Sequence, residues 1–159
     1  MKIEYRFATL SDMELLLQTR IALIEEDSGP FSEQDKEVFA ENCRKVMEKG
    51  LKSGAFFAVL AFCDNTFAGT ASVSLYHVLP GRKLPQGGNA YIQNVYVVPG
   101  YRRSGIGKNL IEMAVNEARR LGYYRITLHA TSKGKLLFER CGFKQEEVSL
   151  QYMVYDGGK

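Results

Sequence analysis

A chain of 159 residues with 45% hydrophobic content is long enough to close one sizeable core, and two domains would each be small, so a single domain over 1–159 is expected. A net charge of +3 with no run of like charges argues against a dedicated nucleic-acid binder and toward a small anionic partner. Cys43, Cys63 and Cys141 are odd in number without a Cys-x-x-Cys pair, and no segment approaches the roughly 18 apolar residues of a membrane span; neither a disulfide framework, a metal site nor a membrane partner is expected, and a reducing cytoplasm is the natural setting.

Ile3 to Ala8 alternates as a short first strand, and Thr9-Leu10-Ser11-Asp12 ends it. Ser11 with Glu14 predicts a capping box and a helix start at Ser11. Met13, Leu16, Leu17, Ile21 and Ile24 recur at helical spacing as its inner face, and the acidic turn Glu25 to Pro30 closes it. Ser32 caps a second helix to about Lys52, with Val38, Phe39, Cys43, Val46, Met47 and Leu51 turned inward. Ala55 to Cys63 is a near-continuous apolar run, which predicts a strand covered on both faces. Asp64-Asn65 is a two-residue hairpin turn, and Thr66 to Val78 returns as the next strand. Leu79 to Gly88, rich in Pro and Gly and carrying Arg82 and Lys83, reads as a loop over the sheet.

Asn89 to Val98 is a further strand, halted by Pro99-Gly100. The loop after it, Tyr101 to Gly105, opens directly into an amphipathic helix with Ile106, Leu110, Met113, Ala114, Ala118 and Leu121 on its buried stripe and Gly122 as its left-handed stop. Gly105 and Gly107 leave the first amides of that helix uncovered, and Arg102, Arg103 and Lys108 add positive charge, which together make an anion cradle. It is not a Walker loop, because Ile106 stands where the lysine would be, nor a dinucleotide fingerprint, because Leu110 replaces the third glycine. The pattern Arg102-x-x-Gly105-x-Gly107 resembles the pyrophosphate loop of the GCN5-related N-acetyltransferases (GNAT), which move an acetyl group from acetyl-CoA to an amine. Tyr124 to Ala130 is the next strand and Ser132 to Cys141 a short helix. Leu137-Phe138-Glu139-Arg140-Cys141-Gly142-Phe143 resembles the Leu-Tyr-Glu-x-x-Gly-Phe segment of the same family, and Phe143 to Val154 alternates as a last strand or hairpin. The resemblance covers nearly the whole chain. It implies an α/β (α+β) fold with a mixed, mostly antiparallel central sheet flanked by helices, in the order β-α-α-β-β-β-α-β-α-β.

By the same resemblance acetyl-CoA is the co-substrate, and its attack by a primary amine is direct, with no enzyme-bound intermediate. The pyrophosphate would lie on the amides of Arg102, Arg103, Ser104, Gly105, Ile106, Gly107 and Lys108, with Arg103 and Lys108 as charged helpers and Arg102 a candidate brace. Val95, Tyr96 and Val97 would hold the pantetheine arm through their backbones. Phe138 borders the thiol where many relatives carry a tyrosine acid, so that acid is missing. Tyr96, Tyr124 or solvent would replace it, while His129 is a candidate proton relay and His77 a weaker one. Glu25 and Glu26, at the joint bordering the family's acceptor site, and Tyr76, Gln93 and Asn94 are candidate acceptor contacts. Strand parity alone does not say which face of the sheet the last three occupy. Cys141 fits a small core residue. The acidic cluster points to a cationic small-molecule or peptide amine and Arg82 with Lys83 to an acid-bearing one; a homodimer is left open. A non-catalytic acyl-CoA-binding module of the same fold is the alternative that Phe138 encourages.

Overall fold

In the computed structural model, which describes residues 1–147 and 150–157, the chain runs β1 (Ile3–Phe7), α1 (Met13–Ser28), α2 (Glu33–Ser53), β2 (Phe56–Cys63), β3 (Thr66–His77), β4 (Gly88–Val97), α3 (Ile106–Arg120), β5 (Arg125–Thr127) and α4 (Lys135–Arg140). The strands form one sheet in the order β1-β2-β3-β4-β5, antiparallel as far as β4 and parallel between β4 and β5. Asp64 and Asn65 both take left-handed conformations, φ 46° and 66°, the pair of positive values that a two-residue hairpin between twisted strands needs.

Both faces of β2 are covered. Val59 and Ala61 lie in one cluster with Val73, Leu75, Ala90 and Ile92 of the sheet and Ile106, Leu110, Ala114 and Ala118 of α3. The two alanines, fully buried, let α3 approach the sheet closely. Trimming the equally buried Leu110 to alanine would cost about 2–5 kcal/mol. On the opposite face Phe56, Ala58 and Leu60 pack against Met13, Leu16 and Leu17 of α1 and Met47 of α2.

Several details depart from the sequence reading. The first helix is entered by a 3₁₀ turn, Leu10–Asp12, and the side chain that fixes it is Asp12, whose Oδ2 accepts from the Thr9 N–H at 2.8 Å; the predicted Ser11–Glu14 box is displaced by this earlier one. Val38 and Val46 of α2 are 58% and 65% exposed, because the contact stripe runs through Cys43 and Met47 and Val46 lies about 100° off it, with Val38 on the same outer side; Leu121 is in line with Ala114 and Ala118 but is the cap residue past the end of α3, and is exposed at 40%. The described part of Phe143 to Val154 carries no strand, and Val148 and Ser149 lie outside the described residues. Phe143 packs into the α3-side core, and Glu146 ion-pairs with Lys83 and Arg125. Among the described residues no helix is long and apolar enough to cross a membrane.

Candidate active site

The loop between β4 and α3 is built from backbone. Val98 holds it to β3 through a hydrogen bond to the Ala68 carbonyl, and Pro99–Tyr101 forms a single 3₁₀ turn. Arg103 and Gly105 then take φ 66° and 86°, and this alternation of handedness turns successive N–H groups toward one side. Gly105 is the N-cap of α3, and a Cβ there would meet nothing within 4 Å, so the space before it is open. Among the described residues nothing accepts a hydrogen bond from the amides of residues 103–108; the first amide of α3 to find an acceptor is Asn109, on the Gly105 carbonyl. Six donors and the positive end of a helix of 15 residues thus converge on one exposed spot. Gly107 answers a different need, since its Cβ would come within 3.2 Å of Leu137 and 3.6 Å of Val97. It lets α4 close over the start of α3.

Arg102 does not point into the cradle. Its Nε donates to the Val97 carbonyl at 2.8 Å, one terminal nitrogen donates to both oxygens of Glu26 at 2.8 and 2.9 Å, and its guanidinium lies 5.7 Å from the centroid of the Tyr96 ring. Of the two roles open to Arg102, the geometry is that of the brace.

Beside the loop the sheet opens. Between Gln93, opposite Ser72, and Tyr96, opposite Thr70, β4 holds one residue more than β3. The bulge contains Asn94, which is 4% exposed with φ 54°, a conformation asparagine tolerates better than most residues. Its side-chain nitrogen and oxygen have no partner among the described residues. Pairing with β5 covers Asn89, Tyr91 and the residue between them and goes no further, so beyond Tyr91 the edge of β4 has no strand beside it among the described residues. Two exposures follow: a free backbone edge along β4, and a cleft between β4 and the end of β5.

The bulge also settles parity. Before it, Tyr91 and Gln93 lie opposite Ser74 and Ser72, which are themselves opposite Phe56 and Ala58 on the α1–α2 face. After it the count flips, placing Tyr96 opposite Thr70 on that face and Val95 and Val97 in the α3-side core. The α1–α2 face is therefore apolar under β2 and polar under β3–β5, where Ser72, Ser74, Tyr76, Asn89, Tyr91, Gln93 and Tyr96 line up. Gln93 donates to Ser74, Asn89 donates to Thr127 at 2.9 Å, and the Tyr91 hydroxyl lies 2.7 Å from His129 Nδ1 across the mouth of the cleft. Burial pushes the phenols of Tyr91 and Tyr96 up; for Tyr96 the charge of Glu26 adds to it, and for Tyr91 the charge of Arg20 opposes it. Both keep their protons at neutral pH and are donors.

Of the residues the sequence singled out, Tyr76, Gln93, Tyr96 and His129 thus share this face or border it. His77 stacks edge-on against Tyr123, 5.5 Å away, at the far end of β3. Phe138 packs edge-on against Phe143 at 6.1 Å. Glu25 accepts from the Phe31 N–H and pairs with Lys36 at 2.9 Å, contacts that hold its carboxyl below the usual range; Glu26 is occupied by Arg102. Sequence reading missed Tyr91, Ser74 and Arg20. The signals were available: Thr70, Ser72, Ser74 and Tyr76 alternate with Ala71, Val73 and Leu75, and Arg20 interrupts the apolar stripe of α1 at a core-facing position.

The architecture is that of an acetyltransferase. A predicted acetyltransferase of Clostridium acetobutylicum, solved with acetyl-CoA, superposes with a TM-score of 0.83 at 24% identity over 96% of each chain. A GCN5-related N-acetyltransferase of Ralstonia eutropha superposes with a TM-score of 0.82 at 24% identity, over 96% of this chain and 99% of that one. The sequence profile of the Acetyltransferase (GNAT) family matches residues 18–143, and the chain belongs to that family. Glucosamine 6-phosphate N-acetyltransferase of Trypanosoma brucei brucei is 36% identical over 67 residues, 41% of this chain and 46% of that protein, so the match spans less than half the length of this curated relative.

Proposed function

We propose that this acetyltransferase moves the acetyl group of acetyl-CoA to the nitrogen of a small-molecule amine by direct attack. The observation that carries the reading is the row of unbonded amides at 103–108 beside the strand edge that β5 leaves unpaired beyond Tyr91. The residues present fit the coenzyme: the amides and the positive end of α3 match a diphosphate, Arg103 and Lys108 supply charge, and the β4 edge at Val95 to Val97 can pair with an amide-bearing arm as an added strand would. A neighbour of the same fold was solved with acetyl-CoA, and the curated relative is named for acetyl transfer to an amino sugar phosphate.

In the transfer a carbon–nitrogen bond forms as the carbon–sulfur bond breaks, the nitrogen loses a proton and the departing thiolate gains one. Amide donors of the β4 edge stabilise the thioester oxygen as it acquires charge. Tyr96, protonated and lying under the Arg102 guanidinium that Glu26 engages, is the proton source in place of the tyrosine that Phe138 replaces. His129 takes the proton from nitrogen, directly or through a water; Nε2 is the basic atom in the tautomer whose Nδ1–H donates to the Tyr91 oxygen. Tyr76, Tyr91 and Gln93 line the acceptor side.

The test pairs calorimetry of CoA and acetyl-CoA with a thiol-release assay over an amine panel. Micromolar binding with amine-dependent thiol release is expected. Binding without release from any amine would leave a sensor of the same fold, and no heat at millimolar ligand would remove the coenzyme reading itself.

A further inference from the structure

The acceptor face carries one charge that nothing among the described residues neutralises. Among the described residues four basic side chains are half-buried, Arg20, Lys36, Arg44 and Arg125, and the last three are paired with Glu25, Glu14 and Glu146. Arg20 has neither an ion pair nor a hydrogen bond among them. Its position makes this unusual. It lies three and four residues beyond Leu17 and Leu16, which are 3% and 0% exposed, and so on the stripe by which α1 packs on the sheet. Where Leu16 and Leu17 meet the apolar side of that face, Arg20 is carried one turn further toward the polar side. Helix α1 packs on β4 as well as on α2, so one turn beyond Leu16 and Leu17 this side chain comes over the face shared by Ser74, Tyr76 and Gln93, and its charge bears on the Tyr91 phenol and the Cys43 thiol there.

A half-buried guanidinium without a counter-ion loses hydration and gains nothing within the fold, so its natural complement is an anion brought by the ligand. The neighbouring groups suit one: hydroxyls of Tyr76 and Tyr91 and the planar fork of an arginine match phosphate or carboxylate oxygens. Of the acidic alternative at the joint, Glu25 and Glu26 are held by Lys36 and Arg102, which leaves only the exposed Asp27 without an ion pair among the described residues. We propose that Arg20 anchors the acceptor by an anionic group, making the substrate an amine that also bears a phosphate or a carboxylate. This rests on the transferase reading above and narrows it.

Matched amines that differ only in the anion test it: glucosamine 6-phosphate against glucosamine, and serine against ethanolamine, with the first pair reporting phosphate and the second carboxylate. The native protein should favour the anionic member of at least one pair by tenfold or more in kcat/KM. Arg20→Gln should erase about 10- to 100-fold of that preference through the acceptor KM, leave the acetyl-CoA KM unchanged, and be partly rescued by Arg20→Lys. Native preference for the uncharged members, or activity confined to polyamines, would overturn the inference while leaving the transferase intact, as would an unchanged preference in a folded Arg20→Gln. Silence toward every amine with acetyl-CoA still bound would overturn both.

Discussion

The two halves of the cleft are made of different material. On the proposed coenzyme side the exposed groups are main-chain N–H donors, and side chains matter by their absence at Gly105, by bracing from behind, as Arg102 does, or by the added charge of Arg103 and Lys108. On the acceptor side the working groups are side chains on one face of the sheet, and the backbone matters through the single bulge that decides which of them face the cleft. A backbone cradle of this kind depends on few side chains beyond its glycines and a flanking positive charge, whereas the proposed acceptor face is rewritten by each substitution. The first half is thereby suited to a ligand common to many transferases and the second to a ligand peculiar to one.

Substitutions should divide along that line. The largest effect is expected at the cradle. Gly105→Glu forces a non-glycine residue into φ 86° and sets a carboxylate among the amides, yet its Cβ meets nothing, so folding should lose only about 1–2 kcal/mol. Calorimetry should show CoA affinity falling at least about 100-fold; affinity within threefold of the native value would refute the cradle. On the acceptor side, His129→Ala should lower kcat by about 10- to 100-fold with CoA affinity untouched, and Tyr96→Phe should act in the same direction. Unchanged turnover in either variant removes that residue's proton role.

The next effect reaches the acceptor side through α1. Asp12, tied to Arg6 at 2.7 Å and to the Thr9 N–H, fixes the start of this helix, and the Arg6 contact first, with the Thr9 bonds, lowers its carboxyl to about 2. A carboxyl depressed in the folded state stabilises it above the unfolded value near 4, and that contribution is lost as pH falls through about 2. The span corresponds to at most about 2 kcal/mol, less because Arg6 is half exposed. Denaturation between pH 5 and pH 2 should therefore show a steeper loss in the native protein than in Asp12→Asn; parallel curves would assign the acid sensitivity elsewhere.

The same division explains what could be read beforehand. Arg102 to Gly107 was legible because a backbone cradle leaves its mark in glycine spacing, and β2 and the Asp64-Asn65 turn were legible because burial on two faces and positive φ restrict composition. The acceptor face was not. Its membership depends on Asn94 adding one residue to β4, and a bulge of this kind shifts parity without altering the alternation on either side of it. Arg20 escaped because an apolar stripe interrupted once still reads as an apolar stripe. The short β5 has a related cause: its predicted extent was Tyr124 to Ala130, but only Arg125–Thr127 finds β4 beside it before the two separate.

Glu26 tests the division where it is weakest, because this residue of α1 touches both halves. The family resemblance makes it an acceptor contact, whereas the structure engages it with Arg102, which in turn grips the Val97 carbonyl at the root of the coenzyme loop. Both partners are more than 40% exposed, so the pair is worth no more than about 1 kcal/mol, or about fivefold in an equilibrium constant. If Glu26 serves the loop, Glu26→Gln should raise the acetyl-CoA KM about two- to fivefold and leave the acceptor KM alone. Added salt should then reproduce the rise in the native protein more than in the variant, because an exposed ion pair is screened. A shift in the acceptor KM with the acetyl-CoA KM constant would move Glu26 to the substrate side, and the anionic-acceptor reading would then have to accommodate a carboxylate in the same pocket as Arg20.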